Sequence, residues 1–186
     1  MFQVNSVQRI KLPKSDLVFI GERTNLKSFK KGETITQNSE VERNLYFIQT
    51  GIVRLFYERE DRDITFNFGF PNHFISAFSS FLTEQASLFN LQALTDVQAY
   101  YITKENLEVI YKNTQCGLLL AKIFLEETVI YISQRETDFM MLSPTERYLA
   151  LFNRNPVLLQ KIPLKYLASY IGITPQALSR IRAKIN

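Results

Sequence analysis

The hydrophobic period of this chain changes once, and this change limits the possible folds more than any other feature. Before Thr103, short apolar segments alternate with polar residues and are broken by turn signals about every ten residues, as in an antiparallel sandwich or barrel. After Thr103, apolar residues recur at the three- and four-residue spacing of helices. The sequence therefore predicts an α+β chain in which an antiparallel β domain precedes a set of helices.

One segment of the β part shows strict alternation. Ile64, Phe66, Phe68 and Phe70 are separated by small or polar residues, which predicts a strand with one buried face. The charged run at residues 58–63 precedes it and is interpreted as a solvated hairpin tip. With 15 Phe, nine Tyr and no Trp in the chain, we expect a Phe-rich β core.

A long helix is predicted at about residues 116–141. Apolar residues recur every seven positions within it, a spacing typical of a helix that pairs with another helix. The alternative, burial against the chain's own β domain, is equally open at this point. The predicted seam residues are Leu118, Leu125, Val129, Ile132 and Phe139.

A new helix should open directly after the long one. Ser143 and Glu146 have the spacing of a capping box, with proline at the first helical position. We therefore expect three parts: a β domain at residues 1–115, a long helix at 116–142 and a helical tail at 143–186.

The tail contains the pattern helix–glycine–helix. Residues 164–171 carry an apolar face, Gly172 can adopt the left-handed conformation that ends a helix, and Thr174 can cap the next one. Burying the apolar side of this second helix leaves three side chains pointing outward, namely Gln176, Ser179 and Arg180. An amide, a hydroxyl and a guanidinium suit the edges of bases in a major groove. The alternative is an ordinary helical hairpin packed on a larger domain.

The charge distribution favours the first interpretation. Residues 143–186 hold seven basic side chains and one acidic one, whereas the other 142 residues hold 15 basic and 17 acidic ones. A basic tail on a nearly neutral body is the distribution expected of a domain that binds phosphates. We therefore expect double-stranded DNA as a partner.

Several other classes of function are disfavoured. A single cysteine, Cys116, excludes an internal disulfide and an all-cysteine metal site within one chain, and the single His73 gives metal or haem little support. We interpret His73 as a turn or surface residue. The sequence shows neither a catalytic Ser/His/Asp or Cys/His arrangement nor a phosphate-binding glycine motif, so we expect no enzyme. Without a signal peptide or membrane-length apolar run, we expect a cytoplasmic protein with no membrane contact.

The order of these elements resembles that of the cyclic-AMP receptor protein / fumarate-nitrate regulator (Crp/Fnr) superfamily of bacterial transcription factors. The resemblance depends on residues 29–33, 45–55, 93–96 and 167–180 and covers nearly the whole chain. It implies a cupin-like β-roll of the cyclic nucleotide-binding type, a dimerisation helix and a helix-turn-helix. It also implies a homodimer and RNA polymerase as partners.

The resemblance assigns roles to the tail. Gln176, Ser179 and Arg180 occupy the base-reading positions of the family, with arginine suited to guanine and glutamine to adenine. In a two-fold dimer the half-sites would lie one helical turn apart, roughly 34 Å. Residues that would contact phosphates and set the register are Lys165, Thr174, Arg182 and Lys184.

The effector cassette departs from the family. Cyclic-nucleotide binders carry a Gly-Glu pair and a later Arg-Ser/Thr-Ala, but Ser76 and Ala77 stand at the first position and residues 87–89 at the second. No positive charge remains there to neutralise a buried phosphate, which would cost several kcal/mol. We therefore expect no cyclic nucleotide. The iron–sulfur branch of the family needs four cysteine ligands from one chain, so the lone Cys116 excludes such a cluster, and we expect no other cofactor.

Two alternatives for the effector remain open. The β-roll could sense an unknown apolar or neutral small molecule, and ligand or partner binding could then be the main role of the chain. It could also bind a cyclic nucleotide in a non-standard pocket. The candidate pocket residues are Phe74, Ser76, Ala77, Phe78, Ser87, Leu88 and Phe89.

Overall fold

A computed structural model describes residues 12–60, 62–154, 156 and 160–185. The eight strands in these ranges are β1 (Asn25–Phe29), β2 (Thr34–Thr36), β3 (Asn44–Thr50), β4 (Val53–Glu58), β5 (Asp63–Gly69), β6 (Phe74–Ile75), β7 (Asn90–Ala93) and β8 (Val97–Thr103). The seven helices in the same ranges are α1 (Lys14–Gly21), α2 (Phe78–Thr83), α3 (Lys104–Asn113), α4 (Gly117–Met141), α5 (Pro144–Arg154), α6 (Leu164–Ile171) and α7 (Pro175–Ile185). The predicted change from strands to helices at Thr103 is confirmed.

The strands form two antiparallel four-stranded sheets, ordered β1-β8-β3-β6 and β2-β7-β4-β5. Alternate residues of the strands point between the sheets and form the first core, whose buried aromatic members are Phe29, Tyr46 and Phe89. Its buried members are Phe29, Tyr46, Ile48, Val53, Leu55, Ile75, Ala77, Phe89, Leu91, Ala93, Val97 and Ala99.

Strand β5 differs from the expectation of one buried face. Leu55 pairs with Asn67 but Phe56 pairs with Thr65, so Phe66 is an extra residue in a β-bulge. Phe66 packs against the core between the sheets, whereas Phe68 belongs to a second core on the outer side. Both faces of β5 are covered, and the prediction was wrong because it took the outer face to be solvated.

Hydrogen bonds cap the starts of α3 and α5, and they confirm the helix predicted to open directly after the long one. The Asn106 N–H donates to Thr103 Oγ1 at 3.2 Å at the start of α3. At the start of α5, the Ser143 N–H donates to Glu146 Oε2 at 2.8 Å and the Glu146 N–H donates to Ser143 Oγ at 3.3 Å. This is a reciprocal capping box, which satisfies two amides that the helix itself leaves without partners.

Candidate nucleic-acid interface

The two tail helices meet at Gly172. This residue has a φ of +85°, and its N–H and that of Ile173 both donate to the Ala168 carbonyl at 3.0 Å. The Ala177 N–H then donates to Thr174 Oγ1 at 3.2 Å, which caps α7. A side chain at Gly172 would be strained by this φ and would lie 3.1 Å from Phe139 Cε1. The predicted helix–glycine–helix unit is therefore present.

The three predicted base-reading residues lie together on one face of α7. Gln176, Ser179 and Arg180 are all exposed, whereas Leu178 on the opposite face is completely buried among the tail helices. Positions three and four apart share a helix face, so the three polar groups can approach one ligand together. The face therefore combines an amide, a hydroxyl and a guanidinium in solvent.

The predicted phosphate contacts are not equivalent. Lys165, Thr174 and Lys184 are exposed, and the Lys165 ammonium lies 4.8 Å from the centre of the Tyr166 ring. Arg182 is half-buried, its guanidinium lies 5.6 Å from the Tyr148 ring, and its Nε is buried without a hydrogen-bond partner. Arg182 therefore packs within the tail, while the other three face solvent.

The tail packs directly on the outer face of the sheet that contains β4 and β5. Four residues of the β domain, Ile52, Phe68, Phe70 and Leu94, share a second hydrophobic core with the tail. The tail's buried members are Tyr148, Leu151, Ile162, Leu167, Ala168, Ile171 and Leu178. The predicted boundary near Leu142 thus separates two segments of sequence that share a hydrophobic core.

Arg54 of β4 connects the β domain to the tail. Its side chain is 3% exposed, and its guanidinium carbon lies 3.6 Å from the Phe56 ring and 3.8 Å from the Tyr166 ring of α6. Its Nη2 donates to Asp63 Oδ2 at 2.8 Å and its Nε donates to Gln92 Oε1 at 3.0 Å. A guanidinium stacked between two rings and bonded to a carboxylate holds α6 against the sheet.

Ser169 and Tyr170 of α6 supply the polar contacts of the same interface. The Thr65 N–H donates to Ser169 Oγ at 2.9 Å, and Ser169 Oγ donates to the Asp63 carbonyl at 3.2 Å. The Tyr170 hydroxyl lies 3.2 Å from the hydroxyl of Tyr131 on α4, which donates to Asn67 Oδ1 at 2.8 Å. Burial raises the pKa of Tyr131, so this phenol stays protonated and can donate. The tail is therefore bonded to β5 and, through Tyr131, to the long helix.

Arg147 of α5 binds helix carboxyl ends. Its Nε donates to the Ile171 carbonyl at 3.0 Å and its Nη1 donates to the Leu142 carbonyl at 2.7 Å. A cation at these positions satisfies carbonyls that the helices leave unpaired and complements their dipoles. Arg147 therefore contributes to the basic charge of the tail but has a structural role.

Arg54, Ser169 and Arg147 were missed as interface residues by sequence reasoning. An arginine within an otherwise apolar strand was the available signal for Arg54, since a buried cation requires specific partners. No local pattern identifies the partners, because the tail and the hairpin are far apart in sequence.

The seven candidate effector residues do not line one common pocket. The rings of Phe74 and Phe78 pack on Phe124 of α4 at 5.5 and 5.3 Å, on the outer side of the other sheet. Phe89 lies in the first core beside Phe66, at 4.9 Å between ring centres.

The other four candidates are bonded to the backbone, buried in the core or exposed to solvent. Ser76 Oγ donates to the Asn44 carbonyl and Ser87 Oγ donates to the Phe89 carbonyl, at 2.9 and 2.7 Å. Ala77 is buried in the first core and Leu88 is 72% exposed. The structure thus places these residues in at least three different environments.

A buried acid lies beside this cassette. Glu42 is buried, accepts hydrogen bonds from the Arg43 and Asn44 N–H groups, and pairs with the Thr36 hydroxyl. Its own N–H donates to Ser80 Oγ of α2 at 2.9 Å. Burial raises the pKa of Glu42 above its ordinary value. A carboxylate here would repel a nearby phosphate.

His73 is a turn residue but does not lie on the surface. It lies in a turn, as predicted, but is only 4% exposed, and its Nδ1 accepts the Phe70 N–H at 3.3 Å. Burial lowers the pKa of His73 to about 4, so the imidazole is neutral at physiological pH. The turn closes against the β-roll, which explains why a turn residue is buried.

The predicted seam of α4 is exposed in the single chain. The five residues Leu118, Leu125, Val129, Ile132 and Phe139 are between 41% and 64% exposed. Phe139 also contacts the tail, since the guanidinium of Arg147 lies 4.8 Å from its ring. The first four therefore form an apolar stripe that nothing in the described chain covers.

Two features are absent from the described ranges. No group of three His, Cys, Asp or Glu side chains among those residues is placed to hold a metal ion. None of the helices between residues 12 and 185, leaving aside the undescribed positions, has the length and apolarity needed to cross a membrane.

Comparison with known proteins agrees with this architecture. Residues 26–114 match the cyclic nucleotide-binding domain family. FixK2 from Bradyrhizobium japonicum is similar in structure, with a TM-score of 0.71 and 16% identity over 87% of this chain and 84% of that chain. The regulator CLP of Xanthomonas campestris, described as responsive to c-di-GMP, has a TM-score of 0.67 and 13% identity over 93% and 91%.

A Eubacterium rectale protein described as a transcriptional regulator of the Crp/Fnr family has a TM-score of 0.70 and 16% identity, covering 94% of this chain and 83% of its own. A sequence comparison with curated proteins finds no match. The resemblance deduced from the sequence is confirmed at the level of the fold: residues 26–114 match the cyclic nucleotide-binding domain family, and the chain as a whole has the fold of the Crp/Fnr regulators.

Proposed function

We propose that this protein is a homodimeric, sequence-specific DNA-binding transcription regulator in the cytoplasm. The observation that carries the proposal is the exposed face of Gln176, Ser179 and Arg180 on a basic helix pair. The shared fold with the Crp/Fnr regulators supports it, since a helix-turn-helix places its second helix in the major groove. RNA polymerase is the further partner that such a regulator would meet.

Base reading and phosphate binding are assigned to different residues. Arg180 can make a bidentate contact with guanine, and Gln176 with adenine, while Ser179 can contact either. Lys165, Thr174 and Lys184 would position the helix by binding phosphates. We give Arg182 a smaller share of phosphate binding than the sequence suggested, because its guanidinium packs against Tyr148.

The base-reading assignment is tested by selecting bound DNA from a random pool and measuring affinity against salt. Arg180→Ala should cost about 1–3 kcal/mol and relax the preference at one base of each half-site. Lys184→Ala should weaken all sequences alike and reduce the salt slope by about 1. Lys112→Ala, at an exposed position of α3 outside the tail, is the matched control and should change neither. Unchanged affinity and preference in Arg180→Ala would contradict the proposal.

The dimer is assigned to the exposed stripe of α4. A second copy of the same stripe would cover these residues through an isologous two-fold interface. Val129→Asp should therefore give monomers in light scattering, because a carboxylate would be buried at the seam. Ile130→Asp is the matched control, since Ile130 is a similarly exposed neighbour on a different face of the helix. Dimers that persist in Val129→Asp, or a wild-type monomer, would refute this assignment.

We further propose that the domain does not bind cyclic nucleotides, despite its family. The cassette lacks the family's arginine, the Ser76 and Ser87 hydroxyls are already bonded to backbone carbonyls, and the buried Glu42 lies beside α2. Calorimetry with cyclic AMP, cyclic GMP and c-di-GMP should show no binding. Specific binding of any of them would favour the alternative of a non-standard nucleotide pocket.

A further inference from the structure

An apolar cavity lies outside the β-roll, between one sheet and three helices. Its volume is about 150 Å³, it is partly open to solvent, and α1, α3, α4 and the sheet β1-β8-β3-β6 line it. Successive residues of a strand point to opposite faces of the sheet, and this shows on which face the cavity lies. Tyr46 and Ile75 point into the first core, whereas their neighbours Leu45 and Phe74 line the cavity. The cavity is therefore separate from the first core, which lies between the two sheets.

Hydrophobic side chains make up nearly all of the lining. The helices contribute Leu107 and Ile110 from α3 and Leu120 and Phe124 from α4, and the sheet adds Ile102. The polar exceptions are the phenol of Tyr111 and the carboxylate of Glu127, and both side chains are half-buried. A ligand here would lose its hydration over most of its surface and would meet a negative charge at one point.

The volume limits the size of the ligand. An apolar cavity of about 150 Å³ in another protein stays dry and binds benzene or xenon, whereas pockets for drug-sized ligands start at about 300 Å³. The charge limits its chemistry further, because an anion beside Glu127 in apolar surroundings would be repelled and poorly solvated.

We propose that this cavity is a binding site for a single apolar ring, either neutral or with a cationic substituent directed at Glu127. The site lies between α3 and the first half of α4. The cavity residues of α4 lie on a different helix face from the exposed stripe, so dimerisation through that stripe leaves the site intact. Phe124 lies seven residues, or about two helical turns, before Tyr131. The Tyr131 hydroxyl contacts Asn67 of β5 and Tyr170 of the tail. The ligand therefore binds the same helix face that holds the tail.

The test uses the full chain with benzene, benzylamine and benzoate as probes. Benzene at saturation should raise the melting temperature and shift the methyl resonances of Ile102 and Leu107 in NMR spectra, while those of Ile48 inside the roll stay unchanged. Benzylamine should bind at least as tightly as benzene and benzoate at least tenfold more weakly. Glu127→Gln should abolish the difference between the two charged probes.

A cavity-filling variant provides the matched comparison. Ala121→Leu places a larger side chain in the cavity and should abolish the benzene response, whereas Ser133→Leu, at an exposed position of α4, should keep it. Two results would overturn the proposal: no methyl shifts at saturating benzene in the wild type, or shifts that appear at Ile48 instead. The methyl measurement on the wild type decides the matter even where Ala121→Leu does not fold, and it is independent of DNA binding.

Discussion

Replacing Arg54 by methionine tests the contact between the tail and the β domain. Methionine keeps most of the apolar stem but removes the guanidinium. The hydrogen bond to Asp63 is charge-assisted and worth about 1.5–3 kcal/mol, and stacking of a desolvated guanidinium on an aromatic ring adds up to about 2 kcal/mol. Both interactions are lost in Arg54→Met, and so is the hydrogen bond from Nε to Gln92, a half-buried side chain that water can reach.

Two effects reduce this sum. Arg54 Nη1 is buried without a hydrogen-bond partner, so its removal returns about 1 kcal/mol of desolvation. The Asp63 side chain is 33% exposed, so water can solvate the carboxylate that is left behind. We therefore expect the free energy of unfolding to fall by about 2–3 kcal/mol.

Urea unfolding followed by circular dichroism measures this change. The matched control is Lys165→Met, which removes an exposed cation 4.8 Å from the same Tyr166 ring and should cost about 0.5 kcal/mol or less. A double-mutant cycle with Tyr166→Leu should show coupling, because the two residues are in contact. An equal loss in Arg54→Met and Lys165→Met, or strictly additive effects in the cycle, would refute the reasoning.

Three further changes test local features of the chain. Gly172→Ala should lower the stability by about 1–2 kcal/mol in the same urea assay, because alanine is strained at a φ of +85° and its Cβ would press on Phe139; a neutral effect would be inconsistent with the turn described. Ser143→Ala should cost about 1 kcal/mol through loss of the capping box, and an unchanged urea midpoint would argue against that cap. Because burial lowers the pKa of His73 from 6.5 to about 4, the unfolded chain binds a proton first as the pH falls. The wild type should therefore lose up to about 3 kcal/mol relative to His73→Gln between pH 6.5 and pH 4. Glu42, whose pKa is raised, contributes to the pH dependence of stability with the opposite sign, and comparison with His73→Gln cancels this contribution. Parallel profiles of stability against pH for the two proteins would show that His73 does not cause the loss of stability.

Local chemistry explains why much of the helical part could be predicted. The caps at Thr103 and Ser143 and the turn at Gly172 involve residues three to four positions apart, so their partners are visible in the sequence. The outward face of α7 follows from helical periodicity for the same reason, and Gln176, Ser179 and Arg180 were found by it. Their role in reading DNA bases stays a prediction.

The β part was less predictable because its pairing is long-range. The bulge at Phe66 changes the face of the sheet on which the residues of β5 lie. No residue type within the strand indicates that a bulge occurs there. The effector candidates were chosen by their position in a family cassette, but strand alternation sends Phe74 outward and Phe89 inward. The apolar cavity beside Glu127 involves strands and helices from distant parts of the chain, so it could be found only in three dimensions.

The sequence by itself determined the order of the elements, the helix ends and the basic, outward-facing second helix of the tail, because each depends on neighbouring residues. Only the tertiary structure decided that the tail packs on the outer face of β4 and β5, where Ser169 bonds Thr65 across 104 positions of sequence. Such contacts depend on which apolar faces meet when the chain closes. Which faces pack together depends on how well their side chains interdigitate over the whole contact surface. No short segment of the sequence determines this.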